Sequence, residues 1–164
     1  MYIWVAIDVE DQVKEIREKA ENYARQQGLT STTFTLPSHV SLKISFQIPD
    51  EKYEEVVSDI REFYRSLEPF QIKVKGIEKS GPIVWLTMQD SAELSRIHEE
   101  LDKMMLEKYG VEQHEFDKDF LFHTSVFVLF DEEQLNKAYD EVKDISVPEV
   151  LRADKFIIGV TFIY

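Results

Sequence analysis

Two histidines in this chain are each followed, at the second position on, by a serine: Ser38-His39-Val40-Ser41 and Phe122-His123-Thr124-Ser125. Imidazole titrates near neutrality, so in a pair one ring can be neutral and take a proton while the other is protonated and gives one. Side chains on a strand alternate between faces, so His39, Ser41, Lys43 and Ser45 are expected on one face. Val40, Leu42, Ile44 and Phe46 then form the opposite, core face. His123 and Ser125 share a face in the same way. Phe127 stands where Lys43 stands in the first motif, so the second strand brings no matching cation. The chemistry expected of this set is general acid–base catalysis by His39 and His123.

Other chemistry is less well supplied. There are no cysteines, which excludes disulfides, thiol nucleophiles and zinc–cysteine sites. No glycine-rich phosphate loop is present. His98 adjoins Glu99 and Glu100 and reads as a surface residue. His114 sits near Glu115, Asp117 and Asp119 without ligand spacing, and reads as part of a solvated acidic loop. No metal or other cofactor is expected. Phe34, Trp85 and Tyr2 are of a type that stacks on a nucleobase, although most aromatics in such a chain belong to the core.

The elements that must position the motifs alternate. Residues 2–9 read as a buried strand, and Val13, Ile16, Ala20 and Tyr23 predict a helix over 11–27 that ends at Gly28. A polar loop at 29–38, just before His39, is placed to form a rim or lid. A strand is expected at 39–48, then a helix over 51–67 capped by Asp50. Strands at 70–78 and 82–88 flank a turn at Ser80-Gly81-Pro82. Ser91 is positioned to cap a helix over 92–109, which stops at Gly110. The second motif lies in a strand at 121–130, followed by a helix over 132–144 capped by Asp131. One or two strands fill 149–163, with a kink near Ala153-Asp154. The order of His-bearing strand, capped helix and strand occurs at 39–78 and again at 123–163. The expectation is an α+β fold: two pseudo-symmetric lobes, antiparallel sheets around a central groove, and helices outside. All 164 residues read as one domain without a separate linker.

With these motifs, spaced 84 residues apart, the chain resembles the two-histidine (2H) phosphoesterases. That family includes the bacterial RNA 2′,3′-cyclic phosphodiesterases often labelled 2′-5′ RNA ligases. Its signature is a pair of His-x-Thr/Ser motifs at a similar separation, and the resemblance runs through nearly the whole chain. It implies metal-independent opening of a 2′,3′-cyclic phosphate or 2′-5′ phosphodiester, with His123 as base and His39 as acid during hydrolysis. It also implies Ser41 and Ser125 on the non-bridging phosphate oxygens and Lys43 offsetting developing charge. Phe127 and the acidic overall charge depart from the family pattern. The other readings are turnover of another small phosphoester, or nucleotide or RNA binding without turnover.

The formal net charge is −13. A surface built to grip a long nucleic-acid backbone would carry excess Lys and Arg, so a nucleotide or short RNA end is the expected partner. The N-terminus has no basic start before a longer apolar stretch, and no apolar run nears the ~20 residues that span a bilayer. A soluble cytoplasmic protein is expected.

Overall fold

The computed structural model describes residues 1–161. Seven strands and four α-helices follow one another in the order β1 (Tyr2–Asp8), α1 (Lys14–Gln27), β2 (His39–Gln47), α2 (Tyr53–Arg65), β3 (Phe70–Ser80), β4 (Ile83–Met88), α3 (Ala92–Tyr109), β5 (His123–Val128), α4 (Glu132–Val142), β6 (Val150–Ala153) and β7 (Phe156–Thr161). The last part of the strand expected to run to 163 lies outside the described residues.

All strand pairs are antiparallel. One sheet has the order β2-β1-β7, the other β5-β4-β3-β6. The expected α+β class is therefore present, but the internal repeat begins one strand earlier than the sequence suggested. β1-α1-β2-α2-β3 is followed by β4-α3-β5-α4-β6-β7. Each half gives its last strand away: β3 pairs with β4 of the second half, and β7 pairs with β1 of the first. The helices cross as well, with α1 packing on β5 and α3 on β2. Neither half could bury its apolar faces alone, so the two lobes share one core that includes Ile3, Ile7, Leu42, Ile72, Leu86, Leu101 and Phe127.

Local signals account for most boundaries. Ser91 accepts a hydrogen bond from the Leu94 amide, and Asp131 from the Gln134 amide, as caps do. Gly28 and Gly110 end α1 and α3 with φ of 65° and 67°, a left-handed conformation that glycine adopts without a Cβ penalty. Asp50 does not cap α2. Its carboxylate accepts from the N-terminal ammonium at 2.9 Å, and the helix starts three residues later, after a 3-10 turn. The 29–38 loop is also partly ordered, with a 3-10 turn at Thr32–Thr35.

Candidate active site

β2 and β5 are the edge strands of their respective sheets, and they run close to each other. Both His-x-Ser motifs therefore lie where the two sheets meet. The strands share one irregularity. Ser41 pairs with Ala6 and Lys43 with the adjacent Val5, leaving Leu42 as an extra residue. Ser125 pairs with Trp85 and Phe127 with the adjacent Val84, leaving Val126 extra. Each motif is thus followed by a β-bulge, which adds a residue and turns the side chains beyond it to the other face.

The bulge corrects the expected position of Lys43. Strict alternation puts it beside His39 and Ser41, but the bulge turns it into the interior, where it is 2% exposed. Phe127 is turned inward at the equivalent point and packs edge-on against Tyr23 and Phe34. The Lys43 ammonium is paired with Asp102 of α3 and, at 3.4 Å, with Asp117. It is committed to two carboxylates rather than free to meet a phosphate. A second register shift, between the Lys43–Val5 and Phe46–Ile3 pairs, turns the strand again, and Ser45 is exposed.

The two histidines are held alike. His39 Nδ1 lies 2.7 Å from the Pro37 carbonyl, and His123 Nδ1 lies 2.7 Å from the Leu121 carbonyl. A carbonyl only accepts, so Nδ1 of each ring carries the hydrogen and Nε2 is the nitrogen left for chemistry. The backbone corner ahead of each ring is pinned in matching fashion. The Val9 amide donates to the Ser38 carbonyl, and the Met88 amide to the Phe122 carbonyl, both at 3.1 Å.

Each imidazole also stacks on one of the chain's two tryptophans. Trp85 lies 4.1 Å from His123 with 14° between planes, and Trp4 lies 4.8 Å from His39 with 30°. The tryptophans are not equivalent by position, because the residue matching Trp85 in the first half is Ala6. Trp4 reaches its histidine from further along β1. It needs the space above Gly159 of β7, where an added Cβ would fall 1.8 Å from the indole.

Burial under this packing lowers the His123 pKa from its ordinary value. The Leu121 carbonyl opposes the shift, and the neighbouring charge on His39 reinforces it. His123 therefore stays neutral further into acid than an ordinary histidine, which is what a base requires. Trp85→Ala, by opening the stacked face to water, is expected to raise the His123 pKa toward the ordinary histidine value. An NMR titration of the imidazole measures this, and an unmoved titration would show that the burial comes from elsewhere.

Ser41 and Ser125 are half-buried, two residues from their histidines and ahead of the bulges. A cleft of about 240 Å³ brings Ser125 and His39 onto one wall, with Thr32, Thr33, Leu36 and Ser38 around it. The loop before His39 forms this rim. Thr33 Oγ1 donates to the Val126 carbonyl at 3.2 Å, and the Val128 amide donates to Ser31 Oγ at 2.9 Å, so the loop is docked on β5. Arg17 holds it from behind, donating to the Thr33 and Leu36 carbonyls at 3.0 Å. A wider groove of about 610 Å³ is lined by Trp85, whose ring stacks on His123, and by Thr87, Phe120 and Leu121 among others.

Sequence reasoning placed His98 on the surface, but it is 4% exposed. Its i,i+4 neighbour Asp102 and the loop residue Asp117 bring ligand atoms within 4.8 Å of one another, a grouping that a metal could use. Here Lys43 supplies the cation for both carboxylates. His114 stays exposed, as expected, and its ring caps a short 3-10 turn by accepting from the Phe116 amide. The role of Trp4 was missed altogether. The signal for it was a tryptophan on the alternating site face of β1, legible only once β1 is known to pair with the His39 strand.

Residues 5–159 match the family described as the 2′-5′ RNA ligase superfamily. Three relatives carry the name "Putative phosphoesterase". One from Bacillus cytotoxicus is 27% identical over 43% of this chain and 43% of its own length. One from a Geobacillus species is 26% identical over 57% and 54%, and one from Bacillus pumilus 23% over 54% and 52%. The matched segments thus span only about half the length of these relatives. Usb1 of Kluyveromyces marxianus has a similar fold, with a TM-score of 0.55 over 97% of this chain and 93% of that one, at 13% identity. Among the described residues, no helix is long and apolar enough to cross a membrane.

Proposed function

This chain belongs to the 2′-5′ RNA ligase superfamily of two-histidine phosphoesterases, and from that premise we propose that it hydrolyses a 2′,3′-cyclic phosphate or a related 2′-5′ phosphodiester. The substrate is a nucleotide or a short RNA end, and long nucleic acid is disfavoured by the net charge of −13. The observation that carries the reading is the matched pair of imidazoles on two facing edge strands, each with Nδ1 tied to the carbonyl two residues before it.

In-line displacement at phosphorus needs a base behind the incoming water and an acid beside the leaving oxygen. His123, held neutral by burial, takes the water proton on Nε2 as the new P–O bond forms. His39 gives its Nε2 proton to the ribose oxygen as the old P–O bond breaks. The product is a phosphomonoester with a free hydroxyl on the adjacent ribose carbon. Ser41 and Ser125 donate to the non-bridging oxygens. Lys43, buried among carboxylates, has no part in phosphate contact.

Wild-type protein assayed on 2′,3′-cyclic nucleotides and 2′-5′ linked dinucleotides in EDTA is expected to turn over at least one of them. The position of the phosphate in the product identifies the leaving oxygen. No turnover of either class would reject this substrate assignment and move attention to other small phosphodiesters. Turnover abolished by EDTA would reject the metal-independent mechanism.

A further inference from the structure

His98 lies outside both motifs, yet it touches the supports of each. Its Nδ1 is 2.7 Å from the Leu42 carbonyl, and Leu42 is the extra residue of the bulge that follows Ser41. Its Nε2 is 3.1 Å from the Asp117 carbonyl, in the segment that leads into His123. Both carbonyls only accept, so the two contacts are hydrogen bonds together in the imidazolium form, in which both ring nitrogens carry hydrogen. The Asp102 carboxylate lies 3.5 Å from Nε2. The ring stacks on Phe120 at 4.4 Å and meets Phe122 edge-on at 6.2 Å. Phe120 and Phe122 flank Leu121, whose carbonyl holds His123 Nδ1. The ring is buried and rises from the middle of α3, a helix of about five turns with Leu94, Ile97, Leu101 and Met105 also buried. A rigid element therefore presents one ring to both halves of the site.

Asp102 and Lys43 strengthen the same junction. Asp102, one helical turn beyond His98, pairs with Lys43 of β2, and Lys43 also reaches the Asp117 carboxylate. The bulge of β2, the helix α3 and the loop before β5 are thereby fastened at one point. At the other bulge the Val126 carbonyl accepts from Thr33 Oγ1 at 3.2 Å, while Phe127, in the place of Lys43, meets Tyr23 and Phe34 edge-on.

We propose that His98 is a positioning residue, which fixes the spacing of His39 and His123 by bonding the bulge behind one motif and the lead-in segment of the other. As a role in catalysis it rests on the function proposed above. A misplacement of about 1 Å in a reacting group can lower turnover by about 100-fold, so a junction that sets both rings has a large effect without touching substrate.

The test uses the full chain with isotope-labelled histidine. His98→Phe keeps ring shape and stacking but removes both polar contacts. Its expected signature is a folded protein in which the imidazole resonances of His39 and His123 shift or broaden, and kcat falls by about 10- to 100-fold with KM little changed. His98→Asn keeps a donor near Nδ1 and is expected to restore the His39 signals. His98→Gln keeps one near Nε2 and is expected to restore those of His123. Should His98→Phe not fold, Phe120→Leu loosens the ring while leaving both carbonyl contacts, and a smaller shift of the His123 signals is expected. Folded variants with both sets of resonances unmoved overturn the proposal. The resonances need no substrate, so they test the positioning role whether or not cyclic-phosphate turnover is found.

Discussion

Alanine in place of either His39 or His123 is expected to lower kcat/KM on a 2′,3′-cyclic nucleotide by about 10²–10⁴-fold, the range for losing one general acid or base. The two losses differ in kind, and a change of leaving group separates them. A p-nitrophenyl diester expels an anion that needs no proton. His39→Ala is therefore expected to recover much of its rate on that substrate, and His123→Ala to recover none. The opposite pattern would exchange the two roles. Equal recovery, or none in either variant, would reject the division into acid and base.

The pH dependence follows from the same assignment. His123 acts in its neutral form and its pKa is lowered, chiefly by burial. The acid limb of kcat/KM should then fall below the ordinary histidine value of about 6.5. Charge on His39 contributes less to the shift than burial does. Removing that imidazole should move the His123 titration upward, but only part of the way. Stability carries the matching sign. Above the ordinary value both folded and unfolded chains hold a neutral ring at position 123, and the contribution is intact. As pH falls from there through the depressed folded titration, the unfolded chain takes up the proton first and the contribution is lost.

Much of this site was legible as spacing and much of the fold as periodicity, for definite reasons. His39, Ser41, His123 and Ser125 lie ahead of their bulges, where alternation still holds, so their shared face could be read directly. Lys43 lies past the bulge, and a bulge has no signature in residue type here; two consecutive buried positions reveal it only in the folded chain. Ser91 and Asp131 behaved as caps because a cap is a local contact. Asp50 failed as one because a distant partner, the N-terminal ammonium, competes for its carboxylate. The exchange of β3 and β7 between halves is also non-local, and it hid the true start of the repeat. His98 was misplaced because charged neighbours on a helix say nothing about the third side of that helix, which here faces β2.

Lys43→Met is expected to destabilise the fold by about 3–5 kcal/mol, the cost of breaking a buried pair by removing one partner. The substitution keeps most of the side-chain volume, so the loss is electrostatic rather than a cavity. What remains is a carboxylate on Asp117 whose side chain is fully buried, with Asp102 close by and mostly buried. Asp117 Oδ2 keeps the His114 amide at 2.8 Å, but Oδ1 has no hydrogen-bond partner among the described residues, and the carboxylate depends on the nearby ammonium for its charge balance. Adding Asp117→Asn to Lys43→Met removes the stranded charge while an amide oxygen can still accept from His114. The double variant is therefore expected to recover a substantial part of the stability lost in the single one, a coupling that urea denaturation of all four proteins measures directly. Were Lys43 instead a solvated phosphate ligand, Lys43→Met would leave stability within about 0.5 kcal/mol and the cycle would show no coupling. The same experiment thus separates the residue that strict alternation would place in the groove from the one that the bulge turns into the core.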